Sequence, residues 1–182
     1  MTAASLAGMA QMLDAALQRL AGKGFVYFVL AVYSLSLLAK IVIGLLLLQA
    51  AQAVGQPVPL YLGDAQRSLL HLFVLSVCLA PWLETLLYQS LPLWLASRFT
   101  RRPLWPVLFS ASVFGLLHYH RFLAAVVNAA VVGVFLAAAY WYRARHSKTG
   151  ALLAVTAVHA LHNGLAWLVA AAQRYGGATG QI

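Results

Sequence analysis

The chain has 182 residues, 63% of them hydrophobic and 8% charged, with a mean hydropathy of +0.84. Soluble domains carry about 25% charged residues, so there are too few charges here to cover a water-facing surface, and lipid is the expected solvent. Twelve Lys and Arg against three acidic residues give a net charge of +9. The basic residues sit in short groups between apolar runs, which fits topology determinants and anionic lipid and argues against a nucleic-acid surface. The single cysteine, Cys78, excludes an internal disulfide framework and a multi-Cys metal site.

Residues 1–22 place Leu6, Met9, Leu13, Leu17 and Leu20 at spacings of three and four, with Gln11, Asp14, Gln18 and Arg19 between them. That pattern predicts an amphipathic helix in the membrane interface, with a soluble packing helix as the alternative. No basic segment followed by an apolar stretch and a cleavage site opens the chain, so no cleaved signal peptide is expected. Apolar runs follow over 25–51, 68–99, 104–119, 122–142 and 151–172. The loop 52–67 carries Gly55, Pro57, Pro59 and Gly63, which mark a turn region. The second run contains Pro81 and Pro92; it should be kinked, and Pro81 should free the carbonyl near Val77. The expected organisation is an interfacial helix over 1–22, a single transmembrane domain over 23–172 and a mobile tail over 173–182. In class this is an all-α polytopic membrane bundle of about five to six membrane helices, with an N-terminal amphipathic helix.

A cytoplasmic N-terminus would leave Arg19, Lys23, Arg98, Arg101, Arg102, Arg143, Arg145 and Lys148 inside, and only Arg67, Arg121 and Arg174 outside. The positive-inside rule selects that orientation. Lys40 falls within the first span, either facing the bundle or snorkelling.

An ionisable group at the centre of a span costs about 2.5–3.5 kcal/mol on insertion scales, so each one is a candidate for function. Glu84 is the only acidic residue in any apolar run. It lies 14 residues from Arg98, roughly 21 Å along a helix. His118 lies 15 residues from Pro103, roughly 22 Å. His159 lies 10 residues from Thr149, roughly 15 Å, with His162 and Asn163 one turn further. Three helices thus lift polar residues to a similar height, as a shared buried site would require. His159 and Asn163 are at i and i+4 and share a face with His162 beside them; Phe114 and His118 have the same spacing. Glu84, Tyr88 and Gln89 line one side of the helix after Pro81. The bland alternative is a Glu–His hydrogen bond that only joins helices.

Three segments carry a family resemblance. Ala80-Pro81-Trp82-Leu83-Glu84-Thr85-Leu86-Leu87-Tyr88-Gln89 resembles an Ala-Pro followed by Glu-Glu-x-x-x-Arg. Phe114 to His118 resembles Phe-x-x-x-His, and His159 to Asn163 resembles His-x-x-x-Asn after the Thr149-Gly150 turn. In that order on apolar helices, over residues 68–172, they resemble the CAAX-prenyl-protease and bacteriocin-processing family of intramembrane endopeptidases. The resemblance implies that Glu84 and His118 activate a water and that His159 and Asn163 stabilise the oxyanion. Thr85, Tyr88, Gln89, Phe114 and His162 would support them. Desolvated carboxylates and oriented N–H donors suit those roles.

No metal or other cofactor is expected. A zinc variant using Glu84, His118 and His159 is the alternative, without a His-Glu-x-x-His motif. Thr85 and Gln89 stand where the family has Glu and Arg. At i and i+4 they lose one charge of each sign together and could hydrogen-bond to each other instead. That departure points away from prenylated CAAX substrates and toward relatives that resemble sorting-type proteases trimming C-terminal membrane anchors. The expected partners are a membrane-anchored protein or peptide and the bilayer, not nucleic acid. Competing readings are a non-catalytic immunity or chaperone-like protein of the same fold, a transporter, and a transpeptidase using Cys78 with Arg121 and His159.

Overall fold

The computed structural model describes residues 3–55, 68–119 and 123–178. They form six helices and no strand: α1 (Ala3–Ala21), α2 (Phe25–Ala53), α3 (Leu69–Ala96), α4 (Leu104–Leu117), α5 (Leu123–Arg143) and α6 (Lys148–Ala178). Helices α2, α3, α5 and α6 are long and apolar enough to cross a membrane, whereas α4 is apolar but only 14 residues long. The protein is an all-α membrane bundle. Pro57, Pro59, Gly63, Asp64, Arg67 and Arg121 lie outside the described residues. Gly55, with φ 66°, follows the end of α2.

The core runs between α5 and α6, where Leu136, Ala137, Ala151, Ala154, Val155 and Val158 are fully buried. The outer faces carry exposed Leu35, Leu38, Ile41, Leu45 and Leu46 of α2, which cost little where the surrounding solvent is hydrocarbon. Attraction between helices in lipid comes from close packing and polar contacts rather than from hydrophobic burial. A close approach joins α4 to α5. A Cβ on Gly115 would lie 2.7 Å from Ala130 Cβ and 2.9 Å from the Val126 carbonyl. A Cβ on Gly133 would lie 3.1 Å from both Ala111 Cα and Phe114 Cδ1. The two glycines therefore let the backbones meet, and this fixes α4 with its terminal His118.

Helix α3 is a single path with two π-helical stretches, Phe73–Leu79 and Thr85–Ser90, each followed within two residues by a proline. Proline lacks an N–H and its ring crowds the carbonyl four residues back; a π-turn relieves both. The Ala80 N–H bonds the Leu75 carbonyl, the i→i−5 pattern, so the next carbonyl in that register, Ser76, is the one Pro81 cannot reach. The freed group is thus the Ser76 carbonyl, next to Val77 as expected. It accepts from Asn163 Nδ2 of α6 at 2.7 Å. The Tyr88 carbonyl, four residues before Pro92, accepts from Ser110 Oγ of α4.

The amphipathic α1 docks its last turns on the bundle through Leu17, Leu20 and the buried Ala21. Tyr142 donates to Asp14 at 2.6 Å, and Arg143 donates to the Ala21 and Lys23 carbonyls at 2.8 and 2.6 Å. A cation on the last carbonyls of a helix satisfies orphan acceptors and the negative end of its dipole. Met9, Met12 and Leu13 stay exposed. At the other terminus the structure departs from the expected tail: α6 continues to Ala178. No strong breaker precedes Gly176, and a single glycine costs a helix only about 1 kcal/mol.

Candidate active site

Glu84 closes the short α-helical stretch between the two π-turns of α3. Its Oε2 lies 3.5 Å from His159 Nε2 on α6 and 3.7 Å from His118 Nε2 at the end of α4. Both distances exceed those of hydrogen bonds, and Oε2 is shielded without a hydrogen-bond partner. The carboxylate therefore faces two imidazoles without being committed to either.

His118 is the C-cap of α4, where the helical carbonyls run out of N–H partners. Its Nδ1 lies 2.7 Å from the Phe114 carbonyl. A carbonyl only accepts, so Nδ1 carries the proton, and in the neutral ring Nε2 carries the lone pair. Phe114, 2% exposed, packs against both rings, with centroids 4.4 Å from His118 and 5.3 Å from His159. It holds the two imidazoles apart around the carboxylate. His159 is itself 2% exposed and its Nδ1 has no partner.

A model of the family described as type II CAAX prenyl endopeptidase, Rce1-like, matches residues 66–165. That is more than half of the chain and includes Glu84, His118, His159 and Asn163. The chain belongs to the Rce1-like family. No curated protein and no solved structure matches it. Family and fold together make it a CAAX-type protease of the intramembrane kind and an integral membrane protein.

In this Rce1-like chain the other expected positions take different places. Asn163 is close by but uses one amide N–H on the Ser76 carbonyl. His162 turns to α2, with Nε2 2.8 Å from Ser36 Oγ and its ring edge-on to Tyr33 at 5.0 Å. Ser36 donates its single hydroxyl proton to the Tyr33 carbonyl at 3.0 Å, so His162 is the donor in their bond. Thr85 and Gln89 are fully buried, but the expected bond between them is absent. Thr85 Oγ1 and both amide atoms of Gln89 lack partners. They lie in a π-turn, where α-helical i, i+4 stacking does not hold. Tyr88 packs on the core and contributes its carbonyl to Ser110.

Sequence reasoning left Lys40 unplaced. It lines a cavity of about 240 Å³ with His118, Asn128, His159, His162 and Asn163. Nor did the sequence single out Asn128, whose only signal was an amide in an apolar run. Among the described residues no group of three or more His, Cys, Asp or Glu is arranged to hold a metal ion. Cys78 is exposed.

Proposed function

We propose that the Rce1-like chain hydrolyses a peptide bond near the C-terminus of a membrane-anchored protein or peptide, as a glutamate-type endopeptidase. The carrying observation is the shielded, unbonded Oε2 of Glu84 facing His118 and His159 at 3.7 and 3.5 Å. A carboxylate beside an imidazole lone pair gives two acceptors in one place, and a water molecule has two protons to donate.

In the proposed step the water oxygen attacks the scissile carbonyl carbon while its proton passes to Glu84. The charge that leaves the carboxylate gathers on the former carbonyl oxygen. His159, with its proton on the partnerless Nδ1, and the second N–H of Asn163 donate to that oxyanion. Collapse breaks the C–N bond, and Glu84 returns its proton to the leaving amine. The products are a new C-terminal carboxylic acid, which keeps the second proton of the water until it ionises to solvent, and a free amine. Pre-aimed donors in a site that excludes water supply the largest share of such catalysis.

No metal enters this scheme, so incubation with a strong zinc chelator is expected to leave the rate unchanged; loss of activity restored by zinc would favour the metal-dependent alternative. The reading places the chain in a bacterial inner membrane with its N-terminus cytoplasmic. Arg143, bonded to the Lys23 carbonyl, supports a common end for the basic groups at Lys23, Arg143, Arg145 and Lys148. The substrate class is an anchored sorting-type substrate rather than a prenylated one, because the Glu and Arg of the family's first motif are Thr85 and Gln89.

The test is mass spectrometry of membrane-protein C-termini in cells expressing wild type or Glu84→Gln. New termini with wild type alone are expected, since removal of a general base costs about 10²–10⁴-fold or more. Identical termini in both would replace catalysis with a non-catalytic membrane role.

A further inference from the structure

Lys40 stands near the middle of α2, at membrane depth, and forms no hydrogen bond or ion pair with any described residue. Long lysines near helix ends reach the interface, but one in mid-span that lines a cavity stays inside. The cavity brings together this cation, the amides of Asn128 and Asn163 and the imidazoles of His118, His159 and His162. Asn128 Oδ1, His159 Nδ1 and His162 Nδ1 are all shielded without partners, and His159 and His162 are only 2% and 4% exposed. Glu84, the one carboxylate nearby among the described residues, is not part of the lining. Among the described residues the space thus holds a cation and several unused hydrogen-bonding groups, but no anion. At about 30 Å³ per water, its 240 Å³ admits a small polar group with a little solvent.

We propose that this cavity is a carboxylate subsite in which Lys40 and Asn128 hold an acidic group of the substrate next to the bond that is cut. Adjacency follows from shared walls: His159 faces Glu84 through Nε2 and lines the cavity with the same ring. The inference rests on the reading of Glu84, His118 and His159 as a proteolytic centre and adds a specificity to it. The acidic group is either an Asp or Glu side chain or a chain-terminal carboxylate; both have the same chemistry and fit the same volume. The amide of Asn128 recognises the second carboxylate oxygen through its N–H, while its Oδ1 faces the ammonium or a water.

Binding decides the matter without cleavage. Full-length Glu84→Gln protein in lipid nanodiscs would be titrated with three fluorescent Leu/Ala transmembrane peptides. One has an Asp near its outer end and an amidated terminus, one has Asn there with a free terminal carboxylate at the same depth, and one has Asn with an amidated terminus. One of the two acidic peptides is expected to bind about tenfold more tightly than the neutral one, the scale of a charge-assisted hydrogen bond. Which of the two does so identifies the source. The advantage should disappear in Glu84→Gln/Lys40→Met and persist in Glu84→Gln/Lys40→Arg. Equal affinity for all three peptides, or an advantage that survives Lys40→Met, overturns the subsite. Cleavage-site mapping separates the two readings: cuts without acidic neighbours refute only the subsite, whereas absence of cuts refutes the protease and with it the role of the subsite in cleavage, leaving the peptide titration to decide carboxylate binding alone.

Discussion

Asn163 holds the Ser76 carbonyl, which Pro81 leaves without an N–H, so it is part of the scaffold as well as a candidate oxyanion donor. Asn163→Ala is expected to lose about 1–3 kcal/mol of stability, the cost of an orphaned buried carbonyl, and to lose activity as well. Glu84→Gln should separate from it. It removes a half-buried charge whose Oε2 makes no hydrogen bond, so thermal unfolding in detergent should occur at or above the wild-type temperature. A lower midpoint for Glu84→Gln would mean that the carboxylate holds the fold together. At this scale the sequence was legible for Glu84, His118 and His159, because polar residues in apolar runs are conspicuous. It left Lys40 open between facing the bundle and snorkelling. Helix α2 is apolar on nearly every side, so no stripe fixes which face turns inward, and only packing against α5 and α6 decides it.

At the scale of elements, the geometry of the site depends on how α3 bends and how closely α4 approaches α5. The prolines of α3 announced a kink in the sequence, but the two π-turns were not legible. Their signal is the balance of hydrogen bonds between three helices rather than any local residue pattern. Ser110→Ala would leave the Tyr88 carbonyl without its donor from α4. A loss of about 1–3 kcal/mol is expected, and chemical denaturation would read it. Gly115→Ala meets Ala130 and the Val126 carbonyl closer than real Cβ atoms come, so α4 must move away from α5. That overpacking should cost about 1–3 kcal/mol. It should reduce cleavage further by shifting His118, whereas the exposed Leu108→Ala on the same helix should change cleavage little. Equal activity of both variants would show that the α4–α5 contact does not position the site.

For the whole molecule, composition was decisive: with 8% charged residues the chain has no soluble solution, and the apolar runs mark the helices to within a few residues. The C-terminal extension of α6 was missed because the segment from residue 173 reads as a polar, glycine-bearing tail, yet the adjacent Gly176 and Gly177 cost the helix only about 1 kcal/mol each. The docking of α1 was legible only as amphipathicity; its anchor, Asp14 to Tyr142, joins residues 128 apart in sequence. Tyr142→Phe should loosen α1 at a cost of about 1.5–3 kcal/mol, the range for a hydrogen bond to a charged group. Proteolysis of the N-terminal segment in intact vesicles would read it as faster cleavage after residue 19 or 23.

The length of α4 has a further consequence. Its 14 residues rise about 21 Å, short of the roughly 30 Å of hydrocarbon that a full crossing requires. A stub of that size is relieved by local thinning of the bilayer, at a fraction of a kcal/mol per ångström of hydrophobic mismatch. Thinning beside His118 would shorten the distance that solvent must travel to reach Glu84. The chain would thereby carry its own dimple in the membrane, and turnover in vesicles should rise with short-chain lipids and fall as the acyl chains lengthen.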